Sequence, residues 1–363
     1  MRVSKSIAAL WLIGAAGLVL AIAGPMVLPE KHYFDTGTIR SLLNDRYFEH
    51  SESFVSTARA YRVLGFPWLW PEALAGPFSF LLSFGAVIFG ARLARAPWQP
   101  AAFLLLAIWV VPLAVFHGTY SKEAFAIVAI GLMARIARSG PGLLVAAGVG
   151  MLYALGFRTY WAVIVVLYVV LMAGWRLGLG WPARLALVAL AILPLSVASE
   201  SFAGMWLSDG RTVVVETRED NPDSSTMFLN PWPNSSPATD LANSLAGWLM
   251  LILPFHLMAM GGAQHVAFAL FQFANTAVFA RIAASLPRPR QGVAPTADDW
   301  QGAAAAAWCV AYTIVQGMFE PDFGSFVKHE ANLAPMLMLL VAHHARFVNP
   351  LRQTAAARQA EPR

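Results

Sequence analysis

The sequence predicts an all-α, polytopic membrane protein with about ten transmembrane helices and one further re-entrant or interfacial helix at about 241–260. Three observations carry that prediction. Of 363 residues, 58% are hydrophobic and only 12% are charged, where an ordinary soluble domain carries roughly 25% charged residues. Apolar runs of spanning length recur at about 7–28, 72–91, 98–116, 122–138, 141–157, 159–175, 183–199, 263–284, 301–319 and 331–347. The basic residues gather at the ends of these runs, and alternate ends carry most of them.

Each element takes its place from its flanks. Arg2 and Lys5 precede about twenty apolar residues, longer than the roughly 7–15-residue core of a cleavable signal peptide. Despite the cleavage-like Ala21-Ile-Ala23, the segment reads as a retained first helix. With the N-terminus cytoplasmic, the cytoplasmic segments hold 15 of the 25 Lys and Arg residues against three acids, Asp298, Asp299 and Glu361. The opposite side then holds 10 basic and 17 acidic residues. That is the asymmetry of the positive-inside rule, and it predicts both termini inside.

Leu241–Met260 is apolar enough to span, but a crossing there would move Arg281, Arg288 and Arg290 outside. Pro254 interrupts it and His256 follows closely. It reads as a re-entrant or interfacial helix on the outer side, with an eleventh crossing as the alternative. The organisation is a single transmembrane domain over 1–348, with outer loops at 29–71 and 200–262 and a polar cytoplasmic tail at 349–363.

The first outer loop mixes charges of both signs with aromatic residues and ends in Phe66-Pro-Trp-Leu-Trp70. This pattern predicts short amphipathic helices on the membrane surface, with the Trp-rich end at headgroup level. The second has a charged half, 217–223, and a turn-rich half, Asn230–Pro237. The cytoplasmic links are too short for a soluble catalytic domain, so any chemistry falls outside or in a cavity open to the outside.

Composition also excludes classes of function. The sequence pI near 9.6 comes from helix-end cations without a basic patch, which argues against a nucleic-acid partner. Cys309, inside an apolar run, allows no disulfide framework and no Cys-based metal site. His256 and His265 have no third ligand at metal spacing, and no P-loop, GxGxxG or DxD motif is present. Neither a metal nor a cofactor is expected.

The stretch His117–Arg138 is the one around which the chain reads best. A polar turn runs into Lys122 and Glu123, and the apolar helix that follows closes in Arg135 and Arg138. Charges at a membrane edge snorkel, pair or face a wet cavity, so this pair either fixes helix depth or opens a cavity. Four further outward features accompany it. Arg158, in Gly156-Phe-Arg-Thr-Tyr-Trp161, stands between two helices with scarcely any loop, as an interfacial anchor or as a fork for phosphate or carboxylate. In Glu320–Glu330, Lys328 and His329 could bind an anionic or sugar ligand, and Asp322 or Glu330 could act as a base; a solvated loop is the plainer reading. Asp35, soon after the first helix, is placed to deprotonate an acceptor hydroxyl, although many surface loops carry such an Asp. Arg211 and Arg218 could hold phosphates or pair with the acids around them.

At these residues the chain resembles the bacterial polysaccharide-polymerase group, the O-antigen polymerases (Wzy-type) and EpsG-like membrane proteins. The resemblance rests on Phe34-Asp35, on Ser121-Lys-Glu123 with the helix closing in Arg135 and Arg138, on Phe157-Arg-Thr-Tyr160, on Asp322–His329, and on the Leu-Pro-Phe255 break. It implies a GT-C-like helix arrangement in the bacterial inner membrane and metal-independent, inverting glycosyl transfer on its outer face. The donor is implied to be an oligosaccharide on a polyprenyl diphosphate, and the acceptor a hydroxyl of another lipid-linked repeat unit. Lys122, Arg158, Arg211, Lys328 and His329 would bind substrate, and Asp35, Glu123 or Asp322 would be the base. Lys328-His329 departs from the Arg-His-like pair expected there.

Three other readings stand beside this one. A polyprenyl-phosphate-sugar glycosyltransferase of GT-C type would add one sugar with Asp35 indispensable. A lipid-linked oligosaccharide flippase or transporter predicts inverted repeats and ionisable groups near the bilayer midplane. A non-catalytic partner of other glycan assembly proteins is the third.

Overall fold

The computed structural model describes residues 4–29, 33–44, 51–96, 98–216, 226–289 and 292–344. Arg218 and the rest of 217–225, Lys31, Asp45, Arg46 and Glu49 of the first loop, Arg290, and the tail from 345 lie outside the described residues. The described chain is all-helical, with one isolated bridge between Met227 and Asp322. In chain order the α-helices are α1 (Lys5–Val27), α2 (Phe34–Leu43), α3 (Glu52–Val63), α4 (Ala75–Gly90), α5 (Pro100–Pro112), α6 (Glu123–Ile136), α7 (Gly140–Gly156) and α8 (Trp161–Arg176). They continue as α9 (Trp181–Ala203), α10 (Asp209–Glu216), α11 (Pro237–Ile252), α12 (Phe255–Met260), α13 (Ala263–Ser285), α14 (Ala297–Phe319), α15 (Phe323–Glu330) and α16 (Ala334–Leu339).

Each of the ten apolar runs is largely helical over its described residues. Among the described residues six helical stretches are long and apolar enough to cross a membrane: Lys5–Val27, Glu72–Gly90, Pro100–His117, Trp181–Ala203, Ala263–Ser285 and Ala297–Phe319. Gly140–Gly156 and Trp161–Arg176 are apolar but shorter. Large apolar side chains point outward along these helices, Trp11, Leu12, Leu144 and Leu190 among them. A water-soluble surface rarely carries such contiguous apolar area, whereas a lipid-facing one does.

The contacts divide the chain into two compact units, one of residues 1–161 and 331–363 and the other of residues 162–330. In the first unit α4 and α6 form the centre, with α1, α7 and α16 packed around them. Gly90 and Gly131 set the α4–α6 spacing: a Cβ on Gly90 would sit 2.9 Å from the Gly131 Cα. Only missing side chains allow backbones this close. Ile39, Leu43, Ala58, Tyr61, Phe66, Ala75 and Tyr120 form an aromatic-rich cluster that seats α2 and α3 over the starts of α4 and α6.

The two ends of this unit differ in charge. At one end Ser6 Oγ donates to the Ala96 carbonyl and a His343 ring nitrogen meets the Ala91 carbonyl, in a region that carries Lys5, Arg92, Arg95, Arg135 and Arg138. Among the described residues of the unit, the acids Asp35, Glu52, Glu72 and Glu123 all stand at the other end.

In the second unit the hub is α14. Its apolar window is 89% buried, against 17% for α9 and 28% for α13. The run Gly302–Ala307 explains the difference, since residues this small let neighbours close in. Gly317 brings α14 within backbone contact of Trp248 on α11. The helix α11 ends at Leu253-Pro254 and a separate short helix, α12, follows. Proline supplies no N–H and crowds the preceding turn, so the interruption expected at Pro254 is a true break.

Candidate functional site

Four of the sequence-predicted residues come together at the acidic end of the first unit. Glu123 is the first residue of α6 and Asp35 lies in the first turn of α2, where the positive end of each helix favours a carboxylate. The turn ahead of α6 is fixed by Tyr61. Its hydroxyl accepts from the Ser121 N–H at 3.0 Å and lies 2.7 Å from Ser79 Oγ. Burial pushes the Tyr61 phenol up to about 12, so it stays neutral in this role.

Arg158 is 6% exposed and Glu123 wholly buried, and the two form a direct ion pair. The second Glu123 oxygen accepts from Asn332 Nδ2 at 2.6 Å, and Arg158 Nη1 donates to the Tyr160 hydroxyl at 2.8 Å. Each buried charge therefore has a charged partner and a polar one, which burial demands. Phe125, Phe157, Tyr153 and Trp161 stack along this cluster as an apolar wall. Beside it, Lys122 Nζ lies 3.7 Å from Asp35 Oδ2 and 3.6 Å from the centre of the Phe54 ring. Both members of this second pair are partly open to solvent, at 14% and 17%.

The geometry ranks the carboxylates. Glu123 is locked between a guanidinium and an amide, which suits it to orienting Arg158 and not to taking a proton. Asp322, in the second unit, caps α15: it accepts from the Ser325 N–H at 2.7 Å and the Ser325 hydroxyl at 2.9 Å. Asp35 keeps 17% of its side chain open to solvent beside Lys122.

The remaining predicted residues belong to the second unit. His329 pairs with Glu320 and meets Gln316 Oε1 at 3.1 Å, while Lys328 stands half-buried beside it on α15. Arg211 departs from the solvent-facing loop cation expected of it. It is fully buried, donates through Nη2 to the Gly317 carbonyl and sits 4.7 Å from the centre of the Phe228 ring. Burial lowers it to about 10, with Glu320 and Asp240 acting the other way. It ties α10 to α14.

Sequence reasoning missed Asn332 and Tyr61. Asn332 follows a charged turn and opens the last apolar run, a polar residue in an apolar frame, and that was its one signal. It also missed Gln272 and Asn275, which reach Glu330. Among the described residues no group of three or more His, Cys, Asp or Glu side chains gathers at metal-binding distance. Comparison with family models, with characterised proteins and with solved structures finds no match to this chain.

Proposed function

We propose that this chain is a membrane glycosyltransferase that joins lipid-linked oligosaccharide repeat units on the outer face of a bacterial inner membrane, with about ten crossings in a GT-C-like arrangement. The observation that carries the reading is the Arg158 cluster. A guanidinium held in place by Glu123 and Tyr160 stands beside an apolar wall, and Lys122 stands at the adjoining helix start. Two cations against a low-dielectric wall suit a diphosphate, whose charge grows as it departs. The all-basic opposite end of the unit supports a cytosolic side there by the positive-inside rule, and with it an outward-facing cluster.

In this reading the acceptor hydroxyl attacks the donor's anomeric carbon, and the new C–O bond forms with inversion. The anomeric bond to the diphosphate breaks, the polyprenyl diphosphate leaves with its electron pair, and the hydroxyl proton passes to Asp35. Arg158 and Lys122 hold the diphosphate, and Glu123 orients Arg158. Arg211 takes a structural role.

A flippase is the second reading, favoured by the buried Glu330 carboxyl. Removing the gene from its cell and resolving the surface glycan by gel separates the two. Single repeat units at the surface are the expected outcome. Complete loss of surface glycan would replace the transferase with a flippase, and altered length alone would leave a non-catalytic partner.

A further inference from the structure

One ionisable side chain lies deep in the second unit and has no part in the reaction above. Glu330, the last residue of α15, is 5% exposed. Its Oε1 accepts from Gln272 Nε2 at 3.1 Å and from Asn275 Nδ2 at 3.4 Å, both on α13. Gln272 and Asn275 are the tenth and thirteenth of the 23 residues of α13, three apart and so on one face, at the middle of a spanning-length helix. On α14 Cys309, likewise the thirteenth of 23 residues, lies within electrostatic reach of the same carboxyl. The loop between α14 and the last apolar run thus dips inward and delivers a carboxyl to mid-helix depth.

The charged groups around it do not neutralise it. His265 and Arg281 sit toward the two ends of α13. On α15 itself His329 is engaged by Glu320 and Gln316, and Lys328 precedes it. His256 of α12 meets the far end of α15, at Phe323. Among the described residues Glu330 forms no ion pair, and an ionised carboxylate without a cation is the form such surroundings reject. Two oxygens there are buried with no hydrogen-bond partner, Glu330 Oε2 and Gln272 Oε1. A proton on Oε2 turns one of these acceptors into a donor, and Gln272 Oε1 is an acceptor on a side chain already touching Glu330.

We infer that Glu330, Gln272 and Asn275 form a proton-binding site inside the helix bundle of the second unit, loaded at neutral pH. The occupied site holds α15 against α13. Releasing the proton leaves a bare carboxylate at mid-helix depth, so proton exchange requires that contact to open. The inference is independent of the glycosyl-transfer reading.

Infrared spectroscopy of the full chain in lipid nanodiscs tests it. At neutral pH the wild type should show the C=O stretch of a protonated, buried carboxyl, downshifted in D2O, and Glu330→Gln should lack it while melting within a few degrees of wild type. Gln keeps the shape and one donor of the neutral acid, whereas Glu330→Ala should melt lower. Dicyclohexylcarbodiimide, which reacts with protonated carboxyls in apolar surroundings, should modify Glu330 in peptide mass spectra, equally in NaCl and choline chloride. Identical infrared spectra for wild type and Glu330→Gln would overturn the proposal. So would a missing protonated band together with Na+-dependent protection from the carbodiimide, which would put a metal cation in the proton's place.

Discussion

Arg158 joins the proposed chemistry and the buried ion pair of the first unit in one side chain. Its fork meets a buried carboxylate and a phenol at once, and Lys cannot reproduce that planar geometry. Arg158→Lys should express and fold yet lower repeat-unit joining at least tenfold in proteoliposomes, and unchanged product length would remove Arg158 from the site. Arg158→Ala should act differently, because it takes the guanidinium from a buried, charged Glu123, at a cost of about 3–5 kcal/mol in unfolding. Glu123→Leu combined with Arg158→Met should recover most of that stability without activity, and denaturation in mixed micelles reads the difference. Lys122, Glu123 and Arg158 were legible in the sequence because charges beside apolar runs are costly and therefore informative. Their partner Asn332 was not, since it lies 209 positions from Glu123 and no local pattern joins them. Arg211 misled for a related reason: a loop position says nothing of whether the loop folds under a helix.

Helix by helix, the apolar runs carried most of the fold. Their ends fall within a few residues of the helices formed, because a run of this length has no other way to satisfy its backbone in lipid. What the runs hid is how the helices sort. α1 and α14 share a length of 23 residues, yet their windows are 22% and 89% buried. Length cannot separate them, but the lower mean hydropathy of α14 and its small residues at 302–307 do. The α4–α6 contact tests that principle. A Cβ at Gly131 would stand 2.8 Å from the Ala86 carbonyl oxygen, while one at Gly85 on the same α4 would meet nothing within 4 Å. Gly131→Ala should cost about 1–3 kcal/mol, since two backbones must part. Gly85→Ala should be neutral or gain about 0.5–1 kcal/mol from helix propensity. Equal melting temperatures for the two variants would mean that the helices are not in contact.

Across the whole molecule the open matter is which helices cross. α6 has 14 residues, about 21 Å at 1.5 Å per residue, less than the roughly 30 Å of a hydrocarbon core. Most of its faces are buried in protein, which relieves it of matching the lipid thickness. Parity decides the question. Between Trp68 and Trp232 the candidate crossings are α4 to α9, six if α6, α7 and α8 cross and three if they do not. Between Arg95 and Asp298 lie α5 to α9 and α13, with α11 as the disputed seventh. Cys309 is buried, so in a Cys309→Ser background single cysteines can be placed at these four exposed positions and probed with an impermeant maleimide. Trp68→Cys and Trp232→Cys should label in intact cells, and Arg95→Cys and Asp298→Cys only after permeabilisation. Trp68→Cys labelled with Trp232→Cys protected would confine the crossings to the long helices and end the proposed outward site. Asp298→Cys labelled from outside, with the other three as expected, would make α11 a full crossing and put the C-terminus outside.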